Sequence, residues 1–201
     1  MSTNKKLKVY DPDHERKTYD KDFYERHAAY YDRAIPHFTN YMKENFVFES
    51  MCDLGCGPGD FLRELQNERD VLGVDFSVGV PQTLAIDPSK YVDADLTKPL
   101  PFNRHFDVVM SLEVWEHLHP EFEKQYLDNV DSLTPDHVII SCAAPKQWGR
   151  HHYSPHEAQY VLDAMISRGY VFDEELTAKF KKIKLLASFY RRNTFVFHKA
   201  K

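Results

Sequence analysis

The chain has 201 residues and a formal net charge of −5 at pH 7. Its 42% hydrophobic and 28% charged residues are typical of a folded globular protein and exclude a disordered chain. No apolar run approaches the roughly 20 residues that a bilayer requires, and 11 Pro with only 7 Gly exclude a collagen-like sequence.

The N-terminal residues and the cysteines both point to a reducing compartment. The first eight residues are basic but are followed by no apolar segment, so we expect no secretory signal, no membrane partner and a cytoplasmic location. Three cysteines, Cys52, Cys56 and Cys142, give an odd count that indicates reduced thiols and not a disulfide framework.

The predicted elements alternate between helices and strands. Apolar residues spaced three and four apart predict an amphipathic helix over 22–45, with Pro36 as a candidate kink. A second helix is predicted at 60–67. Short apolar runs predict strands at 46–54, 71–76, 91–96, 106–112 and 137–143. Strands separated by crossovers form parallel sheets, so the fold class is α/β, doubly wound.

The C-terminal part has clear boundary signals. Ser154 and Glu157 frame a capping box with Pro155 between them, and Gly169 suits a left-handed helix end, so a helix is predicted over 155–168. A further amphipathic helix is predicted at 176–190 and a last strand at 194–198. We expect residues 1–45 to be a helical extension or lid, and residues 46–201 to be one globular domain.

A glycine-rich loop carries the main functional signal. Residues 52–61, Cys-Asp-Leu-Gly-Cys-Gly-Pro-Gly-Asp-Phe, run from a strand end through three glycines toward a helix, which lets the backbone approach a ligand. Asp75 ends the next strand 20 residues after Gly55, the separation at which a carboxylate reaches a ribose diol. The pattern predicts an adenosine-containing ligand.

The residue at position 60 distinguishes between such ligands. A dinucleotide fingerprint requires glycine there, and Asp60 at a helix N-terminus would repel a pyrophosphate. A ligand without phosphates is therefore favoured, and a dinucleotide or nucleotide-sugar enzyme is the weaker alternative.

These segments resemble the class I S-adenosylmethionine-dependent methyltransferases. Residues 53–59 look like the first motif of that class, 74–77 like its second, 92–96 like its adenine-binding strand end and 106–114 like its fourth strand. The resemblance implies a Rossmann-like, mainly parallel seven-stranded sheet with a late antiparallel strand, helices on both faces, and S-adenosylmethionine as cofactor. It implies cofactor contacts from Asp53, Gly55, Cys56, Gly57, Asp75, Phe76, Asp95, Leu96 and Leu112.

An acidic and histidine-rich segment follows the fourth strand. If residues 113–117 are helical, then Glu113, Glu116 and His117 share one face, where they could bind a divalent cation or support His117 as a general base. His151 and His152 follow the next strand, and His152 is a candidate further ligand. The alternative is that the Glu-His pair only caps a helix or shapes the cofactor pocket.

The E-x-x-E-H pattern resembles small-RNA 3′-end ribose methyltransferases and ubiquinone-pathway O-methyltransferases, in which it is associated with a metal. The longer pattern Ser-Leu-Glu-Val-x-Glu-His-Leu resembles small stand-alone methyltransferases. The resemblance implies methyl transfer to an oxygen or nitrogen of an acceptor, with small metabolites, sugars and RNA all compatible with the sequence.

Two further features bear on the acceptor. Trp115, Trp148 and Tyr153 lie near the expected mouth of the site, where they either stack on a flat acceptor or pack internally. Residues 176–201 contain eight Lys or Arg and no acid, which leaves −13 for the preceding 175 residues since the total is −5. This block is either an RNA footprint or a solvated helix face. A non-catalytic, cofactor-binding scaffold that docks RNA or a partner through this block is the alternative function.

Overall fold

The computed structural model describes residues 10–200. In this part of the chain a single seven-stranded sheet is surrounded by helices. The strands are β1 (Ser50–Leu54), β2 (Asp70–Asp75), β3 (Tyr91–Asp93), β4 (Val108–Ser111), β5 (His137–Ser141), β6 (Tyr170–Phe172) and β7 (Thr194–Lys199). The α-helices are α1 (Pro12–Thr18), α2 (Lys21–Asn45), α3 (Glu123–Ser132), α4 (Ala158–Ser167), α5 (Glu174–Phe180) and α6 (Ser188–Asn193).

The strand order places the carboxyl ends of five parallel strands at one edge. The order is β3-β2-β1-β4-β5-β7-β6; strands β1 to β5 run parallel, and β7 is antiparallel to both β5 and β6. From β1 the chain continues toward β2, and from β4 it continues in the opposite direction, toward β5. A crevice therefore opens between the carboxyl ends of β1 and β4. The predicted fold, including the late antiparallel strand, is confirmed.

Two apolar layers hold the sheet between its helices. Because successive side chains of a strand point to opposite faces, Met110 packs in one cluster with Phe38 of α2 and Phe180 of α5, whereas its neighbour Val109 packs in another with Tyr126 of α3. All five side chains are completely buried. Burial of this kind stabilises a fold by about 1.5–3 kcal/mol for each large apolar side chain.

Helix α2 belongs both to the core and to the carboxyl edge of the sheet. Its C-terminal half is buried, with Ala34, Ile35 and Met42 completely covered, while its N-terminal half continues beyond the sheet. Pro36 lies inside this continuous helix. The helix begins at a cap in which the Asp20 carboxylate accepts from Phe23 N at 2.9 Å.

The predicted capping box at 154–157 does not form. The Ser154 hydroxyl is buried and donates to the Leu118 carbonyl at 2.8 Å, so it is not available to a helix N-terminus. Helix α4 begins at Ala158 and not at residue 155. Its predicted end is confirmed, since Gly169 has a φ of 84°.

Two other predicted helices are wrong in extent. The helix expected at 60–67 is a single 3-10 turn, Asp60–Leu62, followed by further turns. The helix expected at 176–190 is broken into α5 and α6 because the intervening residues turn inward: Ile183 and Leu186 are both buried, and Leu185 between them has a φ of 63°. Strand β6, absent from the sequence predictions, pairs with β7.

Among residues 10–200, none of the helices combines the length and the apolar character that crossing a membrane requires.

Candidate active site

A cavity of about 720 Å³ lies over the carboxyl edge of the sheet. All the residues expected to contact a cofactor border it, namely Asp53, Gly55, Cys56, Gly57, Asp75, Phe76, Asp95, Leu96 and Leu112. The candidate catalytic and metal-binding residues, Glu113, Glu116, His117 and His152, border the same cavity. A volume of this size is within the range of roughly 300–1,000 Å³ that is typical of small-molecule sites.

The loop after β1 presents its backbone to this cavity. Gly55, Gly57 and Gly59 have φ values of 81°, 53° and 86°, in the left-handed region that glycine adopts without strain. A side chain at position 55 would overlap Val114, whose Cγ2 lies 2.2 Å from the Cβ position. Glycine is therefore required there both by conformation and by space.

Asp75, at the end of β2, is held against this loop. One of its carboxylate oxygens accepts from Gly57 N at 2.9 Å and the other from Ser77 N at 2.8 Å. Each oxygen retains a lone pair, so the side chain can still accept hydrogen bonds from hydroxyl groups of a ligand.

Two further aspartates border the cavity in different surroundings. Burial, and next the charge of Asp75, raises the pKa of Asp53 well above its usual range. The Asp95 carboxylate accepts from Thr97 N at 2.9 Å and from the Thr97 hydroxyl at 2.6 Å, and the Tyr10 hydroxyl lies 3.3 Å from its other oxygen. Asp95 thus stabilises the turn that follows β3 as well as lining the cavity.

The segment after β4 is not α-helical. Glu113 has a φ of 57°, and the next residues form only a 3-10 turn, so the helix face expected to carry the two glutamates and His117 is not formed. The Glu113 carboxylate instead accepts from the Ser141 hydroxyl at 2.9 Å and from the Gln147 side-chain amide at 2.6 Å.

A compact ligand cluster nevertheless forms at the bottom of the cavity. Glu116, His117 and His152 each place one ligand atom within 4.8 Å of the others. Glu116 is completely buried, and among residues 10–200 neither of its carboxylate oxygens has a hydrogen-bond partner. Burial, and next the charge of Glu113, raises the pKa of Glu116 well above its usual range. Such a carboxylate either holds a proton or faces a positively charged ligand.

His117 is held so that one ring nitrogen has no hydrogen-bond partner in the described part of the chain. Its Nδ1 lies 3.3 Å from the His151 carbonyl oxygen and 3.2 Å from the Tyr19 hydroxyl. Because a carbonyl can only accept, Nδ1 carries the hydrogen and Nε2 has the lone pair. Burial, and next the proximity of His152, lowers the pKa of His117 to about 4, so the ring is neutral at physiological pH.

Residues 10–20, called the strap below, cross the cavity from the β3 side to the β5 side. Arg16 forms an ion pair with Asp93, the last residue of β3. On the opposite side, the Tyr153 hydroxyl donates to Glu15 at 2.7 Å. The strap lies where the predicted lid would act; residues 1–9 of that predicted segment lie outside the described residues.

Two site residues were not found from the sequence. Tyr19 and Gln147 stand in segments without periodicity or motif, and Tyr19 reaches His117 across 98 positions of the chain. Only the folded strap and loop bring them to the cavity, so no local pattern could have indicated them.

The three candidate stacking residues have different surroundings. Trp115 is completely buried and packs against Tyr126, so it is a core residue. Tyr153 is engaged with the strap. Trp148 is 92% exposed at the mouth of the cavity.

Part of the basic block interacts with other groups of the fold. Lys179 pairs with Glu175 at 2.8 Å, and the ammonium groups of Lys181 and Lys199 lie over the rings of Phe195 and Tyr170. Four other cations of the block, Lys182, Lys184, Arg191 and Arg192, are exposed. Lys201 lies outside the described residues.

Comparison with known protein families shows to which family the chain belongs. Residues 24–181 match the family described as "Methyltransferase domain". The chain belongs to this family. No curated protein matches the sequence significantly.

Solved structures similar to this methyltransferase include three that align over almost its whole length. The 1,6-didemethyltoxoflavin-N1-methyltransferase of Burkholderia thailandensis has a TM-score of 0.64 at 15% identity, over 97% of this chain and 93% of that chain. A TehB-like SAM-dependent methyltransferase from Corynebacterium glutamicum has a TM-score of 0.63 at 18% identity, over 94% and 100%. The magnesium protoporphyrin IX methyltransferase of Synechocystis, solved with SAH, has a TM-score of 0.62 at 16% identity, over 95% and 100%.

At these identities the likeness concerns the fold. Together with the family match, it confirms the predicted Rossmann-like methyltransferase. The predicted cofactor agrees with the SAM or SAH bound in similar structures.

Proposed function

We propose that this methyltransferase transfers the methyl group of S-adenosylmethionine to an oxygen of its acceptor. The observation that carries the proposal is that the glycine loop, Asp75 and the cluster of Glu116, His117 and His152 all border one cavity. A cofactor site and a proton-accepting site therefore lie close enough to act on one pair of reactants.

The cofactor side of the cavity suits a nucleoside without phosphates. Asp75 offers lone pairs to a ribose diol, and Asp60 stands where a pyrophosphate would be repelled. When bound, S-adenosylmethionine supplies an electrophilic methyl group on a sulfonium. The loop glycines let the backbone approach it closely, and the strap excludes water from above.

The chain's own part in the chemistry is to take a proton from the acceptor. As the new O–CH₃ bond forms and the S–CH₃ bond breaks, the acceptor hydroxyl loses its hydrogen, and Nε2 of His117 is free to receive it. With a pKa of about 4, however, a neutral His117 is a weak base. Its low pKa favours a second role, since a neutral imidazole binds a cation without competition from protons.

The cluster fits a divalent cation. Two imidazoles and a buried carboxylate, whose oxygens have no hydrogen-bond partner among residues 10–200, are a donor set that such ions accept. A cation would compensate the buried charge of Glu116. Glu116, His117 and His152 would hold it, with Glu113 beside them. Bound there, the ion would act as a Lewis acid that lowers the pKa of an acceptor hydroxyl.

Two substitutions separate cofactor binding from chemistry. We expect Asp75→Ala to weaken S-adenosylmethionine binding about tenfold or more, because the ribose loses a charged acceptor. His117→Ala should leave that affinity within about twofold and abolish turnover. Isothermal titration calorimetry measures binding, and formation of S-adenosylhomocysteine with a cell extract measures turnover.

The matched control is Asp163→Asn on the exposed side of α4, which should change neither quantity. Unchanged cofactor affinity in the Asp75 variant would contradict the cofactor site. Absence of product with every extract would favour the non-catalytic alternative.

The cation is tested by chelation. EDTA should abolish turnover and added Mn²⁺ or Mg²⁺ should restore it, whereas Glu116→Gln should bind the cation at least about tenfold more weakly by calorimetry, since it removes the ligand charge. Full turnover in EDTA would contradict a catalytic role for the cation and leave His117 as the general base.

A further inference from the structure

The cavity has an acidic floor and a cationic mouth. The acids that line it, among them Asp53, Asp75 and Glu116, are buried or partly buried. The lining residues that are exposed are Arg26, His27, Trp148, Gly149, Arg150 and Phe189. This exposed set contains cationic and aromatic side chains and no acid, so a ligand entering the cavity meets positive charge first.

Arg26 and Arg150 keep their hydrogen-bonding capacity. Within residues 10–200 neither forms a salt bridge, whereas Arg16 pairs with Asp93 across the same cavity. Arg26 projects from α2, and the Arg150 guanidinium lies 6.0 Å from the centroid of the Phe23 ring. Two unpaired guanidinium groups at one opening form a receptor for a carboxylate or a phosphate.

The aromatic residues of the mouth add a flat apolar surface. Trp148 is 92% exposed and Phe189 is 37% exposed, although large aromatic side chains are ordinarily buried. An exposed tryptophan beside a cavity suits stacking on a planar ring, which would remove its apolar surface from water.

The loop that carries Trp148 and Arg150 is fixed to the floor of the cavity. The Gln147 side chain donates to Glu113 at 2.6 Å and accepts from Asn193 at 2.7 Å. Gly149 packs so closely on His152 that an added Cβ would lie 1.9 Å from its Nε2. A ligand held at the mouth is therefore positioned relative to the cluster below.

We propose that the acceptor is a small aromatic molecule that carries an anionic group. Its carboxylate or phosphate binds Arg26 and Arg150, its ring stacks on Trp148, and its nucleophilic oxygen points down toward His117. This inference rests on the proposed methyl transfer and names the substrate class of the same site. The bounded cavity and its two arginines favour a small anion over a nucleic-acid strand, which requires an extended positive groove.

The proposed class of acceptor can be tested before the acceptor itself is identified. The enzyme is incubated with methyl-labelled S-adenosylmethionine and a cell extract separated into small-molecule, RNA and protein fractions. The expected labelled product is a small molecule retained by an anion exchanger at pH 7. Label in RNA, in protein or in a small product that is not retained overturns the inference while it supports methyl transfer. No label in any fraction contradicts the proposed function itself.

Variants then connect the product to the mouth. Using the active small-molecule fraction at graded dilution, we expect Arg26→Gln and Arg150→Gln each to raise the amount needed for half-maximal rate about tenfold, with the maximal rate within about twofold. Arg33→Gln, also exposed on α2 but outside the cavity lining, should match the wild type. Wild-type behaviour of both mouth variants, or equal loss in the Arg33 variant, overturns the assignment.

Discussion

His117 is the residue whose properties depend most on its surroundings. An exposed histidine titrates near neutrality, but burial and a second imidazole lower the pKa of this one to about 4. The ring therefore remains neutral while the protein is folded under physiological conditions, and its protonation must be coupled to stability.

The coupling predicts a loss of stability in acid. The unfolded chain binds a proton at His117 near pH 6.5 and the folded chain near pH 4, so stability falls as pH decreases through this window. Between pH 7.5 and pH 5, His117 should lower the free energy of unfolding by up to about 2 kcal/mol. Urea unfolding of the wild type and of His117→Asn at both pH values measures this. The same pH dependence in both proteins would contradict the neutral state of His117 in the folded protein.

At the scale of elements, the strap is attached where its backbone meets Gly79. Gly79 N donates to the Tyr19 carbonyl at 3.2 Å, and a Cβ on Gly79 would lie 2.4 Å from the carbonyl carbon of Asp20. The strap and the turn after β2 thus fit together only if position 79 has no side chain.

Gly79→Ala should therefore displace the strap without changing a cavity side chain. We expect cofactor affinity to fall about tenfold, because the cavity loses its cover. Gly169→Ala is the matched control. Its φ of 84° is strained for alanine, and apart from its chain neighbours no residue among 10–200 has an atom within 4 Å of the added Cβ, so it should lower stability by about 1 kcal/mol and leave affinity unchanged. Calorimetry and urea unfolding measure the two effects. Equal cofactor affinity in Gly79→Ala and the wild type would show that the strap does not cover the cofactor.

The helices and strands differ in how well the sequence predicts them. Buried parallel strands are continuous apolar runs, so all five were located, and the glycine loop was recognised because its spacing is local. The helices after β5 were misplaced because contacts distant in sequence decide them. The Ser154 hydroxyl is hydrogen-bonded to the Leu118 carbonyl, and the turn around Leu185 places its neighbours Ile183 and Leu186 in the core. Likewise, Glu113 and Glu116 were assigned to the site by spacing. The sharp turn after β4 then directs Glu113 to Ser141 and Gln147, and Glu116 to the two histidines.

At the scale of the whole molecule, ligand binding should stabilise the fold as one unit. The cavity is formed by the ends of β1 and β2 and by the loops that follow β1 to β5, together with α2 and α6, so a bound ligand contacts segments from both halves of the sheet. S-adenosylhomocysteine at 100 times its dissociation constant should add about 2.7 kcal/mol and raise Tm by about 5–10 °C. NADH at the same concentration should leave Tm unchanged, since Asp60 repels a pyrophosphate. Stabilisation by NADH would restore the dinucleotide alternative.

The strap also sets an order of events. Tyr24, directly beyond it on α2, lies over the glycine loop, with its Cε1 3.2 Å from the Cβ position of Gly57, whereas the cationic mouth opens between α2 and the Trp148 loop. We therefore expect the cofactor to enter before the strap settles and the acceptor to enter afterwards through the mouth. Methyl transfer should accordingly follow a compulsory sequence, in which the methylated product departs first and S-adenosylhomocysteine is released last.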